Sequence, residues 1–389
     1  MQRASTFLFQ FLRDRSHDLA ALSLDHRPPA PFPSGDVYLL SSALQKAIRR
    51  NDLAVARRAG FQLLAVDPAR LWRRIMTVGL EDIGIGDTTV ATELVSLATL
   101  KAGRRVVGGD RAALEAVLVR ACAAIKDRTG DHLASVLHRE PIDAADAAAL
   151  NRASQNALAA IIASSQLPWT RRVRAAALLS GRNSGRYSTA RTSTLSGVFA
   201  DLGVSDMLIA ACSAYASRSR DPLSVLVPMA WLLSVPGRTK KTSVTVRSLP
   251  EPEIIGEWPA YALDPLHTRS GRRAVDLWVR SYLTRQPFSS SQVAAALWNG
   301  ESAACDRTLA WPLANEIRQR AHRADLLFRG VPPDHLDELG LWIVNNWPAL
   351  TCARRAALSS AIRGSVKLAE ASEQANLPLP VPERPQRRG

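Results

Sequence analysis

The chain has 389 residues, 47% apolar and 22% charged, enough to bury large cores and too apolar for wholesale disorder. Fifty Lys and Arg against thirty-five Asp and Glu leave a formal net charge of +15, a field that draws polyanions. No run reaches the roughly 18 apolar residues of a membrane span. The cysteines Cys122, Cys212, Cys305 and Cys352 are scattered, which argues against a disulfide framework and for a reduced, cytoplasmic setting.

At the N-terminus, Phe7, Leu8, Phe11 and Leu12 share one helical face, as a helix packed on the body or a docking arm would show. Residues 1–35 read as this arm plus a linker, because Arg27 to Gly35 carries three prolines and a fourth at Pro33 in an extended stretch. A collar-sized helical domain is expected over 36–140. Leu40, Ala43, Leu44, Ala47 and Ile48 form an apolar stripe, with Gln45, Arg49 and Arg50 on other faces. Asn51-Asp52 ends that helix or caps the next, over 54–65. Asp67-Pro68 is an N-cap followed by Pro at the first helical position, starting a helix that stops near Gly84 or Gly86. Helices over 88–102 and 110–126 complete a short-looped bundle.

A second helical domain is expected over 144–375, followed by a disordered tail over 376–389. Its predicted helices cover 144–164, a segment opening at Pro168, 204–218, 222–233, 271–283, 291–297, 310–328, 333–344 and 351–371. Gly181 to Ser196 reads as a loop. Thr242 to Leu249 alternates like a strand, the one clear β signal. The fold class is therefore all-α, with at most a minor β element.

Charge is concentrated. From Gln166 to Arg247 there are twelve Lys and Arg against three Asp, a net +9. Arg171, Arg172 and Arg174 lie beside Trp169. Arg182, Arg186 and Arg191 punctuate the loop with Tyr187, and Lys240 and Lys241 precede the strand. Arg269, Arg272 and Arg273 fall at i, i+3, i+4 on one helix face. Guanidinium forks suit phosphate, and a neighbouring aromatic stacks on an unpaired base. The same clusters also fit solvated faces in an arginine-rich, alanine-rich composition; Trp278 reads as core.

The chain has no G-x-x-x-x-G-K-[ST] phosphate loop, no G-x-G-x-x-G and no H-E-x-x-H. His132 and His138 are off a common face and the other histidines are isolated, so no metal and no cofactor is expected. Asp264 and His267 form a possible polar site, able to serve as an acid/base pair or an anion contact or simply as a turn. Asp334 to Glu338 reads as a helix first turn.

Residues 39–137 carry a resemblance. Ser42-Ala43-Leu44-Gln45-Lys46-Ala47-Ile48-Arg49 is similar to the Ser-Ala-Leu-x-Lys-Ser-x-Arg helix of the MgsA-type AAA+ family (replication-associated recombination protein A). Asp67-Pro68, Arg73-Arg74, Glu81-Asp82-Ile83-Gly84-Ile85-Gly86-Asp87 and Ala124-Ile125-Lys126 follow the order of that family's C-terminal collar region. The resemblance covers about a quarter of the chain, without the ATPase module. It implies a clamp-loader-collar-like fold, oligomerisation and proximity to DNA, and it carries over no ATP hydrolysis. Within it, Lys46, Arg73, Arg74, Glu81, Asp82 and Lys126 are expected to form a structural ion-pair network, because acids at a helix C-terminus oppose its dipole and need cations.

The expected function is a non-enzymatic DNA-associated protein of replication, recombination or repair, bacterial and nucleoid-associated, with no membrane partner. It would bind the nucleic-acid backbone through Arg171, Arg172, Arg174, Arg182, Arg186, Arg191, Lys240, Lys241, Arg269, Arg272 and Arg273. The alternatives are an adaptor docking on a AAA+ ATPase or clamp-loader-type partner, and an unrecognised enzyme centred on Asp264 and His267.

Overall fold

The computed structural model describes residues 2–22, 27–34, 36–181, 189–238, 243–281 and 287–360. Aspartates set the early helix starts. Asp36, Asp52, Asp67 and Asp87 each accept a backbone N–H from the first turn they precede. The elements in order are α1 Gln2–Asp14, α2 Ser16–Ala21, α3 Val37–Arg49, α4 Leu53–Val66 and α5 Pro68–Val78. A π-helical turn Gly79–Ile83 follows, then α6 Thr88–Thr99, α7 Lys101–Val106, α8 Asp110–Ala123 and α9 Thr129–Arg139. The chain continues with α10 Ala144–Arg152, α11 Gln155–Ala163, α12 Trp169–Leu179, α13 Thr189–Asp201, α14 Asp206–Ala216 and α15 Leu223–Arg238. After β1 Ser243–Val246, β2 Ile254–Ile255 and β3 Trp258–Pro259 come α16 Arg269–Arg280 and α17 Ser290–Leu297. A second π turn, Trp298–Ser302, leads to β4 Arg307–Ala310, α18 Ala314–Phe328 and α19 Leu336–Asn345, with further helix over 347–360. The fold is all-α, and no helix among the described residues is long and apolar enough to cross a membrane.

Several expected elements are corrected. The helix over 144–164 is two, because Ser154 turns out of α10 and caps α11 through the Ala157 N–H. Residues 189–196, read as loop, belong to α13. Residues 307–310, partly assigned to a helix, form β4, which pairs antiparallel with β1 from Ser243↔Ala310 to Val246↔Arg307. β4 also bonds residue 126 on its other side: the Lys126 N–H donates to the Arg307 carbonyl and the Leu309 N–H to the Lys126 carbonyl. Pairing on both edges overrides the local helical tendency.

The arm and linker are docked. Leu8 and Leu12 are buried on the body, and Phe32 stacks on Trp258 with ring centroids 4.0 Å apart. Among the described residues three apolar clusters form the interior. One joins α1–α8 to residues 255–263. A second joins Met76, Leu80, Ile85 and Val95 to α9, α11–α15 and α18. A third lies among α16, α17 and α19. The expected boundary near residue 140 thus runs through the second cluster rather than between two cores.

Gly84 and Gly86 show why a Gly-Ile-Gly follows the π turn. Gly84 sits at φ +50°, and a Cβ there would lie 2.5 Å from the Asp127 carbonyl oxygen. At Gly86 a Cβ would lie 2.4 Å from the Ile125 carbonyl oxygen. The glycines let the loop before α9 press onto the π turn. Gly86→Ala is expected to cost about 1–3 kcal/mol by forcing this backbone apart. Urea unfolding reads it as a lower midpoint at unchanged slope; an unchanged midpoint would refute the close-approach account.

Candidate functional site

Helix α3 is buried continuously from Leu39 to Arg49, so its polar side chains need partners inside the protein. Ser42, Gln45, Lys46 and Arg49 recur at i, i+3, i+4, i+7 and make one polar stripe. Opposite it stand Glu81 and Asp82 on the first π turn. Arg49 donates from Nε to Asp82 Oδ1 at 2.6 Å, from Nη2 to Glu81 Oε1 at 2.8 Å and from Nη1 to the Ser302 carbonyl at 2.5 Å. Gln45 Nε2 bonds Glu81 Oε1 at 2.9 Å and Asp82 Oδ2 at 2.8 Å. Arg128, just before α9, lies 3.3 Å from Asp82 and pairs with Asp131 at 2.5 Å. Burial alone would lower the Arg49 guanidinium; the Asp82 and Glu81 carboxylates outweigh it and hold it above its ordinary value.

The network is thus real in part and differently wired. Arg49 and Arg128 hold the two acids. Arg73 is exposed, and Arg74 joins through Gln45 Oε1 at 2.7 Å. Lys126 is fully buried, but its ammonium donates to the carbonyls of Cys122 (2.6 Å) and Ala124 (2.8 Å), with Asp306 at 3.5 Å. Glu81 and Asp82 sit on a π-helical turn, whose wider winding departs from the α-helical register of α5.

Lys46 extends the stripe to the other polar candidate. Its Nζ donates to Asp264 Oδ2 at 2.5 Å and to Ser42 Oγ at 2.6 Å. Asp264 Oδ1 accepts the N–H groups of Leu266 and His267, each at 2.8 Å, and faces His267 Nδ1 at 3.1 Å. Burial lowers Lys46 to about 8 against the pull of Asp264. Burial would raise Asp264, but the Lys46 charge and the His267 bond hold it well below the usual carboxylate range. With both oxygens taken, Asp264 clamps α3 to the entry of α16 and leaves the exposed His267 ring facing solvent.

These groups floor a cleft of about 460 Å³. Its mouth carries Arg70, Arg74, Arg139, Arg329, Trp298 and Tyr38. Tyr38 is 57% exposed, and the Arg70 guanidinium lies over its ring at 4.3 Å. Beside the mouth, Arg269, Arg272 and Arg273 are exposed along α16 and make no ion pair among the described residues. Arg272 Nη1 donates to the carbonyl of Leu266, itself a cleft residue, at 2.9 Å, which ties the helix row to the rim.

The other predicted backbone contacts fare differently. Arg172 is buried and donates Nε to the Ile162 carbonyl at 2.9 Å. Arg174 Nη2 caps the Glu140 carbonyl at 3.1 Å, and Arg171 pairs with Asp146 at 3.3 Å. Trp169 is buried, its Nε1 donating to Glu316 Oε1 at 2.9 Å, so it offers no stacking face. These side chains fasten α12 to its neighbours, a correction to their assignment to nucleic acid. Arg182, Arg186, Tyr187, Lys240 and Lys241 lie outside the described residues, as does the Arg191 side chain. Trp278 is core, as expected.

Sequence reasoning missed Gln45, Arg49, Arg128, Tyr38 and Trp298. The available signal was the polar stripe on a helix otherwise apolar all round. It also left His322 isolated, whereas the fold sets it edge-on to His132 with ring centroids 5.6 Å apart. Among the described residues no group of His, Cys, Asp and Glu is placed to hold a metal. No protein-family model, curated protein or solved structure matches the chain.

Proposed function

We propose that the protein is a non-enzymatic nucleic-acid-binding protein that grips the phosphate backbone along α16 and the mouth of the cleft. The observation that carries this reading is the exposed row Arg269, Arg272 and Arg273, joined to the cleft rim through Leu266. Arginines of this kind bind backbone without reading sequence. Tyr38, exposed under Arg70, supplies a stacking face for an unpaired base. The resemblance of residues 39–137 to a AAA+ collar region suits a role in replication, recombination or repair, with self-association through that half.

The test is binding of fluorescent single-stranded, duplex and forked DNA across a salt series. Nanomolar to low-micromolar binding that weakens steeply with salt is expected. The combined Arg269→Gln, Arg272→Gln and Arg273→Gln chain should bind at least tenfold more weakly, with a log K against log salt slope shallower by about two to three. Absence of binding at low salt sinks the reading.

One observation favours the adaptor instead. Leu341, Val344 and Trp347 leave an exposed apolar row at the C-terminal helices. As an adaptor, the chain would capture a AAA+ partner through this row, and the α16 variants would leave that capture intact.

A further inference from the structure

A second pocket, of about 320 Å³, is separated from the cleft by Arg128. The guanidinium that pairs with Asp131 and approaches Glu81 of the cleft wall also lines this pocket. Its walls come from the start of α9, from α18, from the β1–β4 pair and from residues 299–305. The volume suits a small metabolite.

The charge of this wall is one-sided. Arg128, Arg247 and Arg318 line it, and Asp127 is the one acid among the lining residues. Asp127 is already engaged: Oδ1 accepts the Thr129 N–H and Oδ2 accepts Trp311 Nε1, each at 2.9 Å. Arg318 donates to the neutral Asn315 Oδ1 at 2.6 Å, and burial, with the nearby Arg247 charge added, lowers its guanidinium below the ordinary value. Arg247 and Arg318 thus line the pocket without an ion pair among the described residues, while Arg128 is held from the cleft side by Asp131 and Asp82.

The wall also holds unspent hydrogen-bonding groups. Arg128 is 6% exposed, and its Nη1 is shielded from solvent with no hydrogen-bond partner. His322 Nε2 and both amide atoms of Asn299 are in the same condition. Such buried, unmade bonds are costly unless something satisfies them. Ala303, Ala304, Leu309 and Trp311 give part of the lining an apolar character.

A ligand that answers all of these features is a dianion with several acceptor oxygens at one end and an organic body at the other. We propose that this pocket binds a small phosphomonoester, with its phosphate among Arg128, Arg247 and Arg318 and its organic part along Ala303, Ala304 and Trp311. Arginine forks match phosphate geometry with two parallel bonds each. The His322 and Asn299 groups then satisfy the remaining acceptor and donor positions. This site stands apart from the nucleic-acid reading, since it uses none of the α16 arginines.

Calorimetric titration of the full chain at low salt tests it, with ribose 5-phosphate, AMP, inorganic phosphate and ribose as probes. Saturable one-site binding of ribose 5-phosphate and AMP is expected, tighter than inorganic phosphate, with none for ribose. Arg318→Gln and Arg247→Gln, the first partly and the second fully exposed and neither in an ion pair among the described residues, should each weaken binding tenfold or more at an unchanged melting temperature. Arg269→Gln should leave it unchanged. Absence of saturable binding by either ester overturns the proposal, as does native affinity in both pocket variants. Binding of inorganic phosphate alone marks a simple anion site and also overturns it.

Discussion

An Asp82→Ala chain melts well below the native protein, having lost about 3–5 kcal/mol of stability. The carboxylate is wholly buried and bonded to Arg49 Nε, with Gln45 Nε2 on its other oxygen and Arg128 3.3 Å away. Removing it leaves Arg49 in a dry interior with the partly exposed Glu81 as its remaining acid, and leaves Arg128 with Asp131 and the more distant Glu81. Asp82→Asn keeps the shape and an acceptor but removes the charge, and most of the loss should persist. Arg73→Ala, at an exposed position the network does not use, should fall within about 0.5 kcal/mol of native. Chemical denaturation ranks the three chains. An Asp82→Ala chain as stable as Arg73→Ala would show that the network does not hold the fold.

Acid should destabilise the protein through the His132–His322 pair. Burial and the nearby Arg128 and Arg318 charges push His322 down to about 4. Burial, Arg128 and His322 hold His132 well below its ordinary 6.5. In the unfolded chain both rings titrate near 6.5, so between there and about 4 the unfolded state binds protons that the folded state refuses. Stability is therefore complete above 6.5 and falls as pH drops through that window. For His322 alone the loss between pH 7 and pH 5 is about 2 kcal/mol. Urea unfolding of the native chain and His322→Gln at the two pH values isolates it. The variant should lose about 2 kcal/mol less than the native chain; equal losses would refute a neutral, buried His322.

The pair also shows where sequence reading stops. His132 and His322 are 190 positions apart in separate helices, each unremarkable locally, and α9 against α18 brings them together. Lys46 and Asp264, with a separation of 218 residues, meet in the same way. The acids at 81–82 were recognisable as groups needing cations, yet their partners Arg49 and Arg128 depended on a π turn that helical periodicity does not encode.

What the sequence by itself determined is local and periodic. Asp36, Asp52 and Asp67 mark helix starts because a carboxylate one residue ahead satisfies first-turn N–H groups wherever the helix later packs. The apolar stripes specified an all-α chain, and Arg269, Arg272 and Arg273 share an exposed face because their spacing matches the helical repeat. Tertiary structure alone decided which charges are spent and which are free. Arg172 and Arg272 are the same residue type at comparable helix positions. One is buried on the Ile162 carbonyl, and the other stands in solvent at the cleft rim. Both donate to a backbone carbonyl, and the difference in exposure is set by what packs over each helix face, a property of the whole packing rather than of either segment.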